Sequence, residues 1–274
     1  MKLAISNIGW TANEEPAVAA ALQELGVKYV EIAPTKVWDD PLHATDEQIQ
    51  EYLDFWAGYG ITVVAFQSML FPRPDLKIFE DEANRAETLD YLKQFIALAG
   101  KMKAEVMVFG SPKNRQKGTL SIEEADAIAV PFFSTLGDEA ASQGVTFCIE
   151  PNAPQYACDY VTTAAEGRAL VSKIANPGFG LHLDVACMVL AGDNPAAAIA
   201  DAGDMIRHFH ISSPMLDAVA ERDDMDHQSA GDALRQIGYD KFVSIEMRPG
   251  EEGTNVQRVR TAVALARRYY QPAE

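Results

Sequence analysis

The chain is predicted to fold as one α/β domain, a single (β/α)8 TIM barrel over residues 1–274. Three observations predict it. Eight short strand-like runs alternate in order with helix-like stretches, and no low-complexity linker or change of composition divides them. The last four runs alternate apolar and polar residues with period two, and each carries an ionisable side chain to its end. The length, 274 residues, suits a barrel of about 250 residues built as one domain.

Taken in order, residues 3–9 read as a first strand and residues 14–25 as a helix stopped by Gly26. Residues 29–34 form a second strand, and Asp46 caps a helix running to residue 57. A third strand covers 62–68, and the long helix over 81–98 ends at Gly100. The fourth strand is 105–111; Ser121 and Glu124 then make a capping box for a helix to residue 142. In the fifth strand Phe147 and Ile149 oppose Cys148 and Glu150; in the sixth Leu181 and Leu183 oppose His182 and Asp184. In the seventh Phe209 and Ile211 oppose His208, His210 and Ser212; in the eighth Val243, Ile245 and Met247 oppose Ser244, Glu246 and Arg248. Helices over 163–173, 195–202, 227–237 and 255–269 complete the units, with tight turns at Pro177-Gly178 and Gly238-Tyr239. If helices cover the apolar faces, the polar faces share one interior.

The rest of the composition narrows the function. A formal net charge of −17 opposes binding to a phosphate backbone, so no nucleic-acid role is expected. Three cysteines, Cys148, Cys158 and Cys187, lack metal-ligand spacing, and their odd number argues against a disulfide framework. The first residues lead straight into a strand-like run, too short and polar for a signal peptide or a membrane span. The expectation is a reduced, cytoplasmic, soluble protein, compatible with a homo-oligomer.

In such a barrel the chemistry sits at the carboxyl ends of the strands. Glu150, Asp184, His210 and Glu246 stand there on consecutive strands. Three carboxylates that converge repel one another unless a cation holds them. An oxygen-rich set with one nitrogen suits Mn²⁺, Mg²⁺ or Co²⁺ better than structural zinc. Arg248, two residues past Glu246, is a candidate for holding a substrate oxygen or phosphate. Asn152 and Lys113 are further substrate-binding candidates, the latter with Arg115 and Lys117 as an anion pocket or as a solvated loop. Trp10, Trp38 and Phe71 either stack on a sugar face or pack the loops together. His182 and His208 lie one step deeper and read first as hydrogen-bonded supports, with His182 kept as a substrate contact. Asp226 reads as the N-cap of the helix that begins at His227; Glu31 faces inward only if Tyr29 and Ala33 do too.

The residues also carry a resemblance over essentially the whole chain. Glu150 before Pro-Asn, Asp184 at the end of Gly-Leu-His-Leu-Asp, His210 in His-Phe-His and Glu246 before Met-Arg resemble the xylose isomerase-like sugar-phosphate isomerase/epimerase superfamily. The pattern is similar to ketose 3-epimerases and hydroxypyruvate isomerase. The resemblance implies one divalent ion, Mn²⁺ first, bound by Glu150, Asp184, His210 and Glu246. It implies that Glu150 and Glu246 act as the acid–base pair, passing through an enediolate of a small carbohydrate, and that His227, in the Asp-His pair with Asp226, is a candidate substrate contact. The chain departs from the epimerase pattern at Met188, at Gln155 and Tyr156, and at Ser213 to Leu216, which removes groups that hold a free ketohexose. A metal-dependent lyase or dehydratase acting on a keto-sugar, keto-glycoside or cyclitol is the alternative. A non-catalytic sugar-binding subunit also stays open. A nuclease of the endonuclease IV type is disfavoured, since the chain has five histidines and a strongly negative charge.

Overall fold

Eight parallel strands pair in sequence order and close into a barrel in the computed structural model, which describes residues 1–271. The strands are β1 (Lys2–Ser6), β2 (Tyr29–Ile32), β3 (Thr62–Phe66), β4 (Val106–Phe109), β5 (Thr146–Ile149), β6 (Phe179–Asp184), β7 (Ile206–Ser212) and β8 (Phe242–Glu246). Around them run α1 (Glu15–Glu24), α2 (Pro34–Val37), α3 (Asp46–Gly58), α4 (Glu82–Lys101) and α5 (Ile122–Ser142). The circuit continues with α6 (Ala164–Ile174), α7 (Val185–Ala191), α8 (Pro195–Ala202), α9 (His227–Gln236) and α10 (Asn255–Tyr270). No described helix is long and apolar enough to cross a membrane.

The expected order holds, with local differences that have physical causes. Strands β1 to β4 stop earlier than expected because the backbone leaves the extended conformation: Asn7–Gly9 coils into a 3-10 turn after β1, Pro34–Val37 into α2 after β2, and Ser68 and Ser111 take positive φ after β3 and β4. Asp46 is not the cap of α3. Thr45 is: its hydroxyl accepts from the Gln48 backbone N–H at 3.2 Å while the Gln48 side chain accepts from the Thr45 N–H at 2.9 Å. Asp46 follows in the first turn, where its charge meets the positive end of the helix dipole. Gly100 lies inside α4 instead of ending it, and the left-handed turn falls on Lys103, with φ of 57°. The short helix α7 was not expected at all.

Two apolar bodies position the site. The larger joins the outer faces of the strands to the helices, as with Phe109, Phe133, Phe147 and Phe179, whose rings lie 5.3–6.5 Å apart. Each such burial contributes about 1.5–3 kcal/mol. The smaller fills the inside of the barrel with Ala4, Val64, Val106, Val108, Cys148 and Phe242. The interior therefore begins as an apolar plug and turns polar only toward the carboxyl ends of the strands, where β2, β6 and β7 contribute Glu31, His182, His208 and His210. The seam is tied at the mouth by Glu14, which accepts from Asn255 Nδ2 at 2.6 Å and from the Gly253 N–H at 2.8 Å.

Gly178, at the turn into β6, packs its Cα directly on α5, and a Cβ there would overlap the backbone oxygen of Gly137. Backbone cannot swing aside as a side chain can. Gly178→Ala is expected to destabilise the protein by about 1–3 kcal/mol, the usual scale of overpacking, in chemical denaturation. An unchanged midpoint would refute this close approach.

Candidate active site

The strand ends bring Glu150, Asp184, His210 and Glu246 together. Asp184 and His210 are register partners between β6 and β7, while Glu246 sits beside Ser212 of β7 on the next strand. Glu150 follows β5 directly, and its N–H continues the ladder to the Phe109 carbonyl at 3.1 Å. One ligand atom from each of the four residues lies within 4.8 Å of every other. All four are nearly closed to solvent, from 0% exposure for His210 to 8% for the two glutamates.

Each side chain is held by a specific neighbour. Asp184 also serves as the N-cap of α7, its Oδ1 accepting from the Cys187 N–H at 2.6 Å. Its Oδ2 is buried without a partner. His210 Nδ1 faces Glu246 Oε2 at 3.2 Å without hydrogen-bond alignment, and Nε2 faces Glu31 at 3.0 and 3.2 Å. Gly110 leaves room for Glu150, since a Cβ there would collide with Glu150 Oε2. Arg115, fully buried, donates to the carbonyls of Glu150 at 2.6 Å, Tyr160 at 3.0 Å and Phe109 at 3.3 Å, and to the Gly110 carbonyl. It also reaches Asn152 Oδ1 at 3.0 Å. The guanidinium thus ties the ends of β4 and β5 together.

The site opens into a cavity of about 530 Å³ whose floor holds Glu150, Asp184 and Glu246. Asn152, Tyr156, Lys113, Leu70, Phe71 and Leu216 are among its walls. Lys113 is the only cationic side chain lining it among the described residues. Phe71 is 85% exposed at the rim. Ser68, Ser111 and Leu216 line it in the left-handed backbone region, with φ of 58°, 40° and 56°, an unfavourable setting concentrated at the mouth.

Several expected contacts lie elsewhere. Arg248 is exposed and absent from the cavity wall, because β8 ends at Glu246 and the inward alternation ends with it. Its backbone N–H donates to the Leu216 carbonyl at 2.8 Å. His227 lies against Tyr269 and Tyr270, with Nδ1 2.9 Å from the Tyr270 hydroxyl, outside the cavity. Trp38 packs edge-on against Tyr52 at 5.6 Å, and Trp10 is buried against Trp56. Neither tryptophan lines the cavity. His182 sits below the floor, its Nε2 3.9 Å from Glu150 Oε1. Arg115 belongs to no anion pocket, since its donors are spent on carbonyls and Asn152. Two residues lie at the site beyond the expected ligand and substrate-contact set, Glu31 among them with the inward direction that parity made conditional. Cys187 lines the cavity 3.9 Å from Glu150 Oε1, on a helix that the reading omitted. Glu31 is fully buried beneath His210 and His208. The period-two rule would have found Glu31 once Tyr29, which packs on the inner cluster, was placed inside.

Three comparisons bear on the chain. The profile of the xylose isomerase-like TIM barrel family matches residues 19–269. An L-ribulose 3-epimerase of Methylomonas sp. (strain DH-1) is 25% identical over 239 residues, 86% of this chain and 79% of that one. The structure of D-psicose 3-epimerase from Clostridium cellulolyticum H10 superposes with a TM-score of 0.82 at 20% identity, covering 99% of this chain and 100% of that one. The zinc-bound IOLI protein superposes at 0.78, also with 20% identity, over 99% and 100% of the two chains. At such identities the two structures establish likeness of fold.

Burial, and then the charges of Glu246 and Asp184, push the Glu150 carboxyl up to about 8 in the absence of a cation. Burial and Glu246 raise Asp184 to about 6. Burial alone would lower His210, but Glu31 and Glu246 hold it well above the ordinary imidazole range. All three groups then keep protons that the unfolded chain has released, so their contribution to stability falls as pH rises. Metal-free protein is expected to lose thermal stability from about pH 4.5 to about 8, the window of Glu150. Calorimetry of chelator-treated protein checks it, and Glu150→Gln should flatten the decline; an identical decline in that variant would refute the assignment.

Proposed function

Because the chain belongs to the xylose isomerase-like TIM barrel family, we propose that it is a sugar epimerase or isomerase working beside a carbonyl with one divalent cation. The observation that carries this reading is the set of four ligand atoms within 4.8 Å, three of them from residues at the floor of the cavity. The similarity to an L-ribulose 3-epimerase supports the same class. Asp184 Oδ2 and His210 Nδ1, both buried and without hydrogen-bond partners, fit a cation held by Glu150, Asp184, His210 and Glu246. Three oxygens and one nitrogen favour Mn²⁺, with Mg²⁺ or Co²⁺ as substitutes. A zinc atom in a protein of the same fold supports a divalent ion in this barrel.

When bound, the ion would polarise the substrate carbonyl and acidify the neighbouring C–H. The chain's own residues do the rest. Glu150 and Glu246 approach the floor from β5 and β8 and so flank a substrate lying between them. One carboxylate removes the proton next to the carbonyl, and the other returns one to the opposite face. Return to the neighbouring carbon instead would interconvert aldose and ketose. Asn152 and Lys113 are proposed to orient substrate oxygens, and Leu70 and Phe71 to contact an apolar sugar face. The occupant is a small carbohydrate or a derivative of one.

Metal content separates the ligands from bystanders. Asp184→Ala and His210→Ala are each expected to lose the bound ion that the wild type retains on desalting, measured by elemental analysis. Equal content in all three proteins would sink the ligand set. Solvent deuterium entering the carbon beside the carbonyl, across a panel of keto-sugars with Mn²⁺, tests the reaction. Glu150→Gln and Glu246→Gln should each lower turnover by about two to four orders of magnitude while some metal remains. Near-normal turnover in both variants would remove the two-glutamate mechanism.

A further inference from the structure

The geometry points to Glu31 as a positioning residue that fixes which nitrogen of His210 is offered to the cation, an inference that rests on the ligand set proposed above. Glu31 lies on β2, across the barrel from β5 and β6, and is fully buried. Its oxygens lie 3.2 and 3.0 Å from His210 Nε2, and Oε2 lies 3.4 Å from His208 Nε2. No lysine or arginine bonds it among the described residues, so two imidazoles are its hydrogen-bond partners. A buried carboxylate is unfavourable unless it is paired and hydrogen-bonded, and here the pairing falls on the residues beneath the cavity floor.

The consequence follows from the donor inventory. An ionised carboxylate only accepts, so the ring nitrogen facing it must carry the proton. With Nε2–H committed to Glu31, the lone pair of a neutral His210 lies on Nδ1, the nitrogen 3.2 Å from Glu246 Oε2 and inside the four-residue cluster. Without Glu31 the ring is free to take the other tautomer, which points a proton at the cation. His208 does not belong to the ligand set; it donates to the same carboxylate and so restrains Glu31. A carboxylate or carbonyl on the far nitrogen of a ligating histidine is a general means of setting its tautomer and basicity.

The test measures Mn²⁺ dissociation constants by the spin-resonance signal of the free ion, with melting temperature as the folding control. Glu31→Gln presents an amide that donates as readily as it accepts, so it keeps the volume and loses the bias. Its Mn²⁺ affinity is expected to fall about 10- to 100-fold. His208→Gln keeps an N–H donor beside Glu31 and leaves the Glu31–His210 contact in place, so its Mn²⁺ affinity should stay near wild type. Wild-type affinity in folded Glu31→Gln overturns the inference while the ligand set stands. Wild-type protein that takes up no divalent ion removes both. Should Glu31→Gln fail to fold, nitrogen-15 spectra of zinc-loaded wild type decide: a proton on His210 Nε2 supports the role, and a bare Nε2 overturns it.

Discussion

Three carboxylates and an imidazole within 4.8 Å of one another, almost closed to water, are the constraint to which the rest of the molecule answers. Left to themselves such groups move apart or take up protons. Here they cannot move apart, because each is anchored by backbone. Asp184 ends β6 and caps α7 in the same stroke, Glu150 extends the β5 ladder, and His210 and Glu246 lie within strands paired on both sides. The barrel holds the charges together, and the charges give the cavity its chemistry.

The two-level interior explains how one fold meets both needs. Below, Val64, Val106, Val108, Cys148 and Phe242 pack as an ordinary apolar core and give the closed sheet its rigidity. Above, Glu31, His182, His208 and His210 form a polar tier that never meets solvent, each at 0% exposure. That tier separates the carboxylates of the floor from the plug, with Glu31, His208 and His210 joined by hydrogen bonds.

Much of this was legible in the residues, and the illegible parts share a cause. Strands β5 to β8 alternate cleanly, so the inward direction of Glu150, Asp184, His210 and Glu246 follows from parity once a closed barrel is assumed. Strands β3 and β4 are mostly apolar on both faces, β1 is polar only at its ends, and β2 has a single charged residue, so parity places Glu31 inward only on the condition that Tyr29 and Ala33 face inward too. Alternation also ceases where a strand ceases, which is why Arg248 was assigned inward and lies exposed. The helix over Val185–Ala191 is short and mostly apolar, with no amphipathic period to read. Arg115 stands in a basic run with Lys113 and Lys117, and composition alone cannot separate a buried guanidinium from its solvated neighbours.

Arg115 has a further consequence, for how such a site changes over time. Most of its donors end on backbone carbonyls, which every amino-acid sequence supplies. The ends of β4 and β5 are therefore held whatever side chains the loops between residues 110 and 162 present, provided the guanidinium, its Asn152 contact and the close approach at Gly110 remain. Lys113, Tyr156 and their neighbours on the cavity wall can thus change without disturbing the carboxylate below. A latch that reads mostly main chain lets the loop side chains vary while the strand ends beneath them keep their places.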